Sequence, residues 1–396
     1  MGRRRPPSAI SPVALGAAGK AAGIYGKPLR KKEWIDLERY YLAIIANMRI
    51  FRYAELIELL ARFQDGQALW RAGVGELCAA GLNKDAAERF SQGRQKYDPD
   101  KLADFCAREA VRIITVTDKE YPPALLNIAN PPFALFVKGR LSDNALAIVG
   151  SRKASSYGLS VARQFAADLS NAGFSIVSGG AKGIDSAAHE GALSVAGHTV
   201  AVFGCGIDVC YPQNNKRLYD AIFAEGGGLV TEYLPGDKPL DWHFPMRNRI
   251  ISGLSKGVLV VEAHKKSGSL LTADLALEAG REVYCVPGSI YSSGSIGVHN
   301  LIKQGARLVD RPEDIINELG GLFVPDKFTA ASTGLSGKAM DIYDNLIVGK
   351  HYVLDEIAGA AGLTIAQASE LLLEMELSGW VEANAGIYQR KERGGR

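Results

Sequence analysis

The chain reads A-I-V-G-S-R at 147–152, then a helical pattern, then I-V-S-G-G-A-K-G-I-D at 176–185. Each half is a short apolar strand that ends in small residues and opens a helix. Glycine lets a backbone approach a ligand closely, and a helix start presents unpaired N–H groups with partial positive charge. Two such loops at neighbouring parallel strand ends predict an anion cradle, with Arg152 and Lys182 at its lip.

The same alternation continues outward. Strands are predicted near 145–149, 174–177, 198–203, 228–231, 257–261, 282–286 and 307–309. Helices are predicted near 157–171, 184–196, 215–225, 247–254, 269–279 and 298–304. Short Val/Ile-rich strands between such helices read as an α/β fold, a doubly wound, Rossmann-like, mostly parallel sheet. Before it, V-R-I-I-T-V at 111–116 and F-A-L-F-V-K-G at 133–139 read as strands of a bridge, because Y-P-P and N-P-P block helix between them.

The ends differ from the middle. Residues 1–32 carry eight basic and no acidic residues and little to bury, which predicts a disordered basic tail. Leu37, Tyr41, Ile44, Ile45 and later Leu56, Leu59, Leu60, Phe63 recur at helical spacing, so 33–110 is expected to be a small all-α domain of three to five helices. Within it, 76–90 resembles a helix–turn–helix pair. Residues 321–337 have linker composition. Residues 338–390 have the order helix, helix, turn, helix, hairpin of a winged helix, with Thr364 as an N-cap and Ile365, Ala368, Leu372 and Met375 as the buried stripe.

Net charge is +3, yet 111–320 gains nothing from it. The stretch 140–320 has 17 basic and 18 acidic residues, so polyanion binding there depends on local placement. The winged-helix region, 337–390, has 3 basic and 8 acidic residues. Its candidate recognition helix carries Glu370, Glu374 and Glu376, no basic residue, and Gln367 as its single base reader, so it is expected to dock a protein rather than DNA. That protein is either the chain's own DNA-binding face or a basic partner. The five cysteines, Cys78, Cys106, Cys205, Cys210 and Cys285, fit no zinc spacing and suggest reduced thiols in a cytoplasm. No apolar run reaches membrane-spanning length, so no membrane contact is expected.

Every Gly-rich segment falls at a predicted strand end. Gly150, Ser151 and Arg152 form the first. Ser178, Gly179, Gly180, Lys182 and Gly183 form the second, which matches neither a Walker A loop nor a dinucleotide fingerprint. Asp185 reads as a bracket for that loop. In F-G-C-G-I-D-V-C-Y-P-Q-N-N-K at 203–216, Tyr211 offers a ring for base stacking and Lys216 a charge. Arg247, Asn248 and Arg249 are placed at a helix start. Ser267, Gly268 and Ser269 stand where a phosphate would meet the next helix, with Glu262 as a possible acid. The histidines show no metal or triad spacing, and neither metal nor cofactor is expected.

These motifs, in this order, together with V-P-G at 286–288, resemble the bacterial DNA-processing protein A family (DprA, also called Smf). The resemblance implies a non-enzymatic, homodimeric single-stranded DNA-binding protein that loads the RecA recombinase in natural transformation. It also implies a first helical domain of the SAM or helix-hairpin-helix kind, although 47–52 lacks the glycine usual in that hairpin. By position the DNA site would include Gly150, Ser151, Arg152, Lys182, Lys216 and Arg247–Arg249. The alternative is a nucleoside-monophosphate phosphoribohydrolase on a lysine-decarboxylase-like fold. Such enzymes carry P-G-G-x-G-T-x-x-E, where this chain reads K-K-S-G-S-L-L-T-A-D at 265–274.

Overall fold

The computed structural model describes residues 31–320, 338–346, 351–377, 380–384 and 387–390. The expected tail, up to residue 30, and the expected linker lie outside them. Contacts divide the chain into two compact units, one up to Leu322 and one from Phe323 onward.

The first unit opens with six helices: α1 (Lys31–Asn47), α2 (Tyr53–Phe63), α3 (Gly66–Arg71), α4 (Val74–Ala79), α5 (Lys84–Gly93) and α6 (Pro99–Arg108). The sequence suggested fewer. Short polar residues start new helices within what periodicity joins. Asp65 accepts from the Ala68 N–H at 2.6 Å, and Asn83 from the Ala86 N–H at 2.8 Å. The helical pair expected at 76–90 is α4 and α5. The exposed face of α5 is self-paired by Lys84–Glu88 and Arg89–Asp85 contacts and offers no basic stripe.

Next come β1 (Arg112–Thr115), β2 (Ala134–Gly139), β3 (Ala145–Val149), α7 (Ser156–Asn171), β4 (Ser175–Ser178), α8 (Ile184–Ser194), β5 (Thr199–Val202), α9 (Lys216–Ala224), β6 (Gly228–Thr231), α10 (His243–Gly253), β7 (Gly257–Val260), α11 (Gly268–Glu278), β8 (Glu282–Cys285), α12 (Ile296–Lys303), β9 (Arg307–Leu308) and α13 (Glu313–Leu319). They build one nine-stranded sheet in the order β1-β2-β6-β5-β4-β3-β7-β8-β9. The bridge strands therefore join the sheet. β1 pairs antiparallel with β2, and β2 antiparallel with β6, while β3 to β9 pair parallel.

The sheet is apolar on both faces, as period-2 geometry requires of A-L-A-I-V. Ala145, Ala147 and Val149 face a core shared with α10, α11 and α12. Leu146 and Ile148 face a core shared with α7, α8 and α13. A third core joins Ala43 and Ile44 of α1 and Leu102 and Cys106 of α6 to Phe136 and Ala201 of the sheet. The helices and the sheet thus close as one unit. Strand order reverses direction between β3 and β7, which is where ligands bind in doubly wound sheets.

The second unit is a winged helix: α14 (Lys338–Asn345), β10 (His351–Val353), α15 (Leu354–Ala360), α16 (Ile365–Leu377), β11 (Val381–Asn384) and β12 (Ile387–Arg390). Its sheet order is β10-β12-β11. Ala368, Leu372 and Met375 are buried as expected, but Ile365 is 56% exposed. Thr364 and Gln367 cap α16 reciprocally, each backbone N–H donating to the other's side-chain oxygen. The expected base reader therefore has its carbonyl engaged by the cap.

Candidate nucleic-acid interface

At the switch point, β3 and β7 extend their pairing one step beyond the strands, with Ser151 N–H donating to the Glu262 carbonyl at 2.8 Å. Gly150 and Gly183 let the first two loops lie in contact. A Cβ on Gly183, whose φ is +86°, would fall 2.3 Å from the Ser151 carbonyl oxygen. Behind them, the buried Glu262 carboxylate accepts from the Ser155 N–H at 2.9 Å and the Ser155 hydroxyl at 2.5 Å. It fixes the start of α7 and is not a free acid.

The loops enclose a cleft of 510 Å³. Gly150, Ser151, Arg152 and Lys153 line one side, and Lys266, Ser267, Gly268 and Ser269 the other. Arg152, Lys153 and Lys266 are exposed. The start of α11 opens here, with Ser267 as N-cap and its hydroxyl 2.7 Å from that of Ser269. Three exposed cations and a helix N-terminus face this cleft against one exposed carboxylate, Asp241, so its lining favours an anion. Arg152 also lies over the Phe244 ring at 5.2 Å, and the Tyr211 ring lies 5.4 Å from Phe244. Tyr211 is 43% exposed, so its ring stands open to a base.

Other expected site residues sit elsewhere or do other work. Ser178 is fully buried and donates to the Ile148 carbonyl at 2.6 Å. The Gly179 and Gly180 carbonyls face the protein, accepting from Arg247 at 2.7 Å and from the Tyr219 hydroxyl and Asn215 at 2.8 Å each. The loop's amides are engaged as well: Ala181 N–H donates to the Asp185 carboxylate at 3.3 Å, and Gly179 N–H also bonds it. The nest expected for phosphate thus holds the chain's own carboxylate. Burial raises the Asp185 pKa above its ordinary range, and the Arg247 guanidinium opposes that rise.

Lys182 is exposed but lines a separate groove of 360 Å³ with Arg163 and Asn214. Lys216 is exposed and paired with Asp220 at 2.7 Å. Arg247, Asn248 and Arg249 are not at a helix start. Helix α10 begins at His243, so all three lie inside it, and all are buried. Arg247 also donates to the Val202 carbonyl, tying the ends of β4 and β5 together. Asn248 donates to the Gly268 carbonyl at 3.2 Å and so positions α11. Arg249 points to the other side of α10, 2.5 Å from Glu232. Sequence reasoning gave no role to Phe244, Lys153 or Lys266. The available signal was a cation next to Arg152, and a Lys-Lys pair directly before S-G-S at a strand end.

Residues 112–320 match the family model described as DNA recombination-mediator protein A, and residues 345–386 match the DprA winged helix domain. The chain is 42% identical over 324 residues to Protein Smf of Escherichia coli (strain K12), covering 79% of this chain and 86% of that protein. It is 46% identical over 207 residues to DNA processing protein DprA of Streptococcus pneumoniae, covering 52% of this chain and 73% of that protein. The X-ray structure of DNA processing protein A from Streptococcus pneumoniae superposes with a TM-score of 0.60 at 37% identity, covering 72% of this chain and 97% of that one.

Proposed function

Because the chain belongs to the DNA recombination-mediator protein A family, we propose that it binds single-stranded DNA in the cleft between the ends of β3 and β7. The observation that carries this reading is the pairing of exposed cations with an aromatic ring in one cleft, Arg152, Lys153 and Lys266 beside Phe244, with the exposed Tyr211 ring against Phe244. Phosphates take the cations and the α11 N-terminus, and unpaired bases take the rings. We extend the reading to a homodimer that protects incoming strands and loads the RecA recombinase in natural transformation, as the family resemblance implies.

Nothing at the cleft is built to read a duplex groove, so binding is expected to prefer single strands. The test is a salt titration of labelled oligo-dT against the matching duplex. The slope of log affinity against log salt should be about −0.7 per phosphate contacted. Arg152→Ala should weaken binding to all sequences alike and flatten that slope by roughly one contact. Equal affinity for duplex and single strand at physiological salt would overturn the proposal.

Of the carboxylates at the cleft, Asp185 is tied to the Ala181 amide and Glu262, behind it, to Ser155, while the exposed Asp241 lines the cleft as well. Release of free base from nucleoside monophosphates would support the enzymatic reading instead.

A further inference from the structure

Helix α10 has two faces of different chemistry. Phe244, Asn248 and Ile251 look into the cleft just described. Trp242, Met246 and Arg249, spaced i, i+4 and i+7, share the opposite face. Met246 and Arg249 line a second cleft of 800 Å³, walled by α2 and by 130–134. Trp242, at the cap of the helix, is 48% exposed. Arg49, just after α1, holds its guanidinium 4.4 Å from the indole centroid and 5.0 Å from the Tyr233 ring. Arg49 has a φ of +52°, a left-handed conformation that a non-glycine residue adopts only where its surroundings hold it. An aromatic ring with an arginine on its face is the arrangement that Phe244 and Arg152 make in the first cleft.

We propose that Trp242 and Arg49 form a second base-stacking platform. A single strand leaving the first cleft crosses the N-terminal turn of α10 and lays a base against this pair, at the mouth of the second cleft. The inference rests on the single-strand reading and lengthens its path. It also makes the helical region part of the nucleic-acid surface, through Arg49 rather than through α5. The lining of the second cleft is neutral overall, Arg49, Arg52 and Arg249 against Glu55, Glu58 and Glu232, with Arg52–Glu55 and Arg249–Glu232 each 2.5 Å apart. The added contact is therefore stacking and contributes little to salt dependence.

The experiment titrates wild type, Trp242→Phe, Trp242→Ala and Arg49→Gly with oligo-dT of increasing length, following both affinity and tryptophan fluorescence. Glycine at 49 keeps the left-handed backbone and removes the guanidinium. Wild type should show fluorescence quenching, and its affinity should step up once the strand is long enough to leave the first cleft. Trp242→Phe should lose the quench. Trp242→Ala and Arg49→Gly should lose the step, roughly five- to a hundredfold for one stacked base, with shortest-oligo affinity and salt slope unchanged. A quench that persists in Trp242→Phe, or a step that persists in both Trp242→Ala and Arg49→Gly, overturns the platform and leaves the first cleft standing. Failure of wild type to bind any oligo-dT overturns both.

Discussion

Asp185 stands where the 178–185 loop offers a site to phosphate, and one carboxylate there changes what the neighbouring residues do. Arg247 is held below the loop by the Gly179 and Val202 carbonyls, with burial lowering its pKa and Asp185 supporting its charge. Close by, His189 is fully buried, with Nδ1 2.7 Å from the Thr199 hydroxyl. That hydroxyl donates to the Ile176 carbonyl, so it accepts from Nδ1–H, and Nε2 is left bare without a partner. Burial, with the Arg247 charge adding, pushes the His189 pKa down to about 3 from 6.5. The unfolded chain takes up a proton near 6.5 and the folded chain does not. Stability from this residue is therefore full above pH 6.5 and falls as pH drops towards 3. Between pH 6.5 and 5 the loss is about 2 kcal/mol. Urea unfolding at pH 7 and pH 5 should show this difference in wild type and a correspondingly smaller one in His189→Gln. Equal differences in the two proteins would refute the assignment.

At the scale of elements, α10 and α16 each depart from what their sequences suggest. Helix α10 starts at His243, one turn before the arginines, and its first turn carries aromatic rings instead of charges. Helix α16 has the place of a recognition helix but exposes Glu370, Glu376, Ile365 and Leu373. The side chain of Glu374 lies outside the described residues. Exposed carboxylates and aliphatic side chains suit a protein partner and repel a phosphate wall. Deleting 337–396 should leave single-strand affinity unchanged or slightly tighter. A roughly tenfold loss, about 1.4 kcal/mol, together with a duplex gel shift by the isolated domain, would count against that reading.

For the whole molecule, the apolar surface that bears on assembly lies at the β9 end of the sheet. β9 is a two-residue edge strand, and Leu308 on it is exposed. The loop that follows β8 exposes Ile290 at 77% and Tyr291 at 94%. Apolar side chains beside an unpaired edge are the features that a second copy covers. We propose homodimerisation through this end of the Rossmann-like region. Sedimentation at micromolar concentration should give a dimer. A monomer that binds oligo-dT normally would sink the proposal.

Local pattern was enough for the strands, the parallel sheet, the winged helix and the placing of the 150–152 and 178–183 loops at strand ends. These follow from periodicities of 2 and 3.6 and from short-range turn chemistry, which neighbouring residues specify among themselves. Local pattern found the two bridge strands but not their antiparallel place in the sheet, because β2 pairs with β6 across some ninety residues. It also did not show that Ser178, Arg247 and Arg249 are buried, or that Lys182 opens on a different groove. Spacing puts a residue at a strand end but does not say to which side its side chain or amide points. That direction is set by partners distant in the chain: Gly179 for Arg247 and Glu232 for Arg249. Buried polar groups must find such partners, so tertiary packing alone decided which cations became structural and which remain free to meet a ligand.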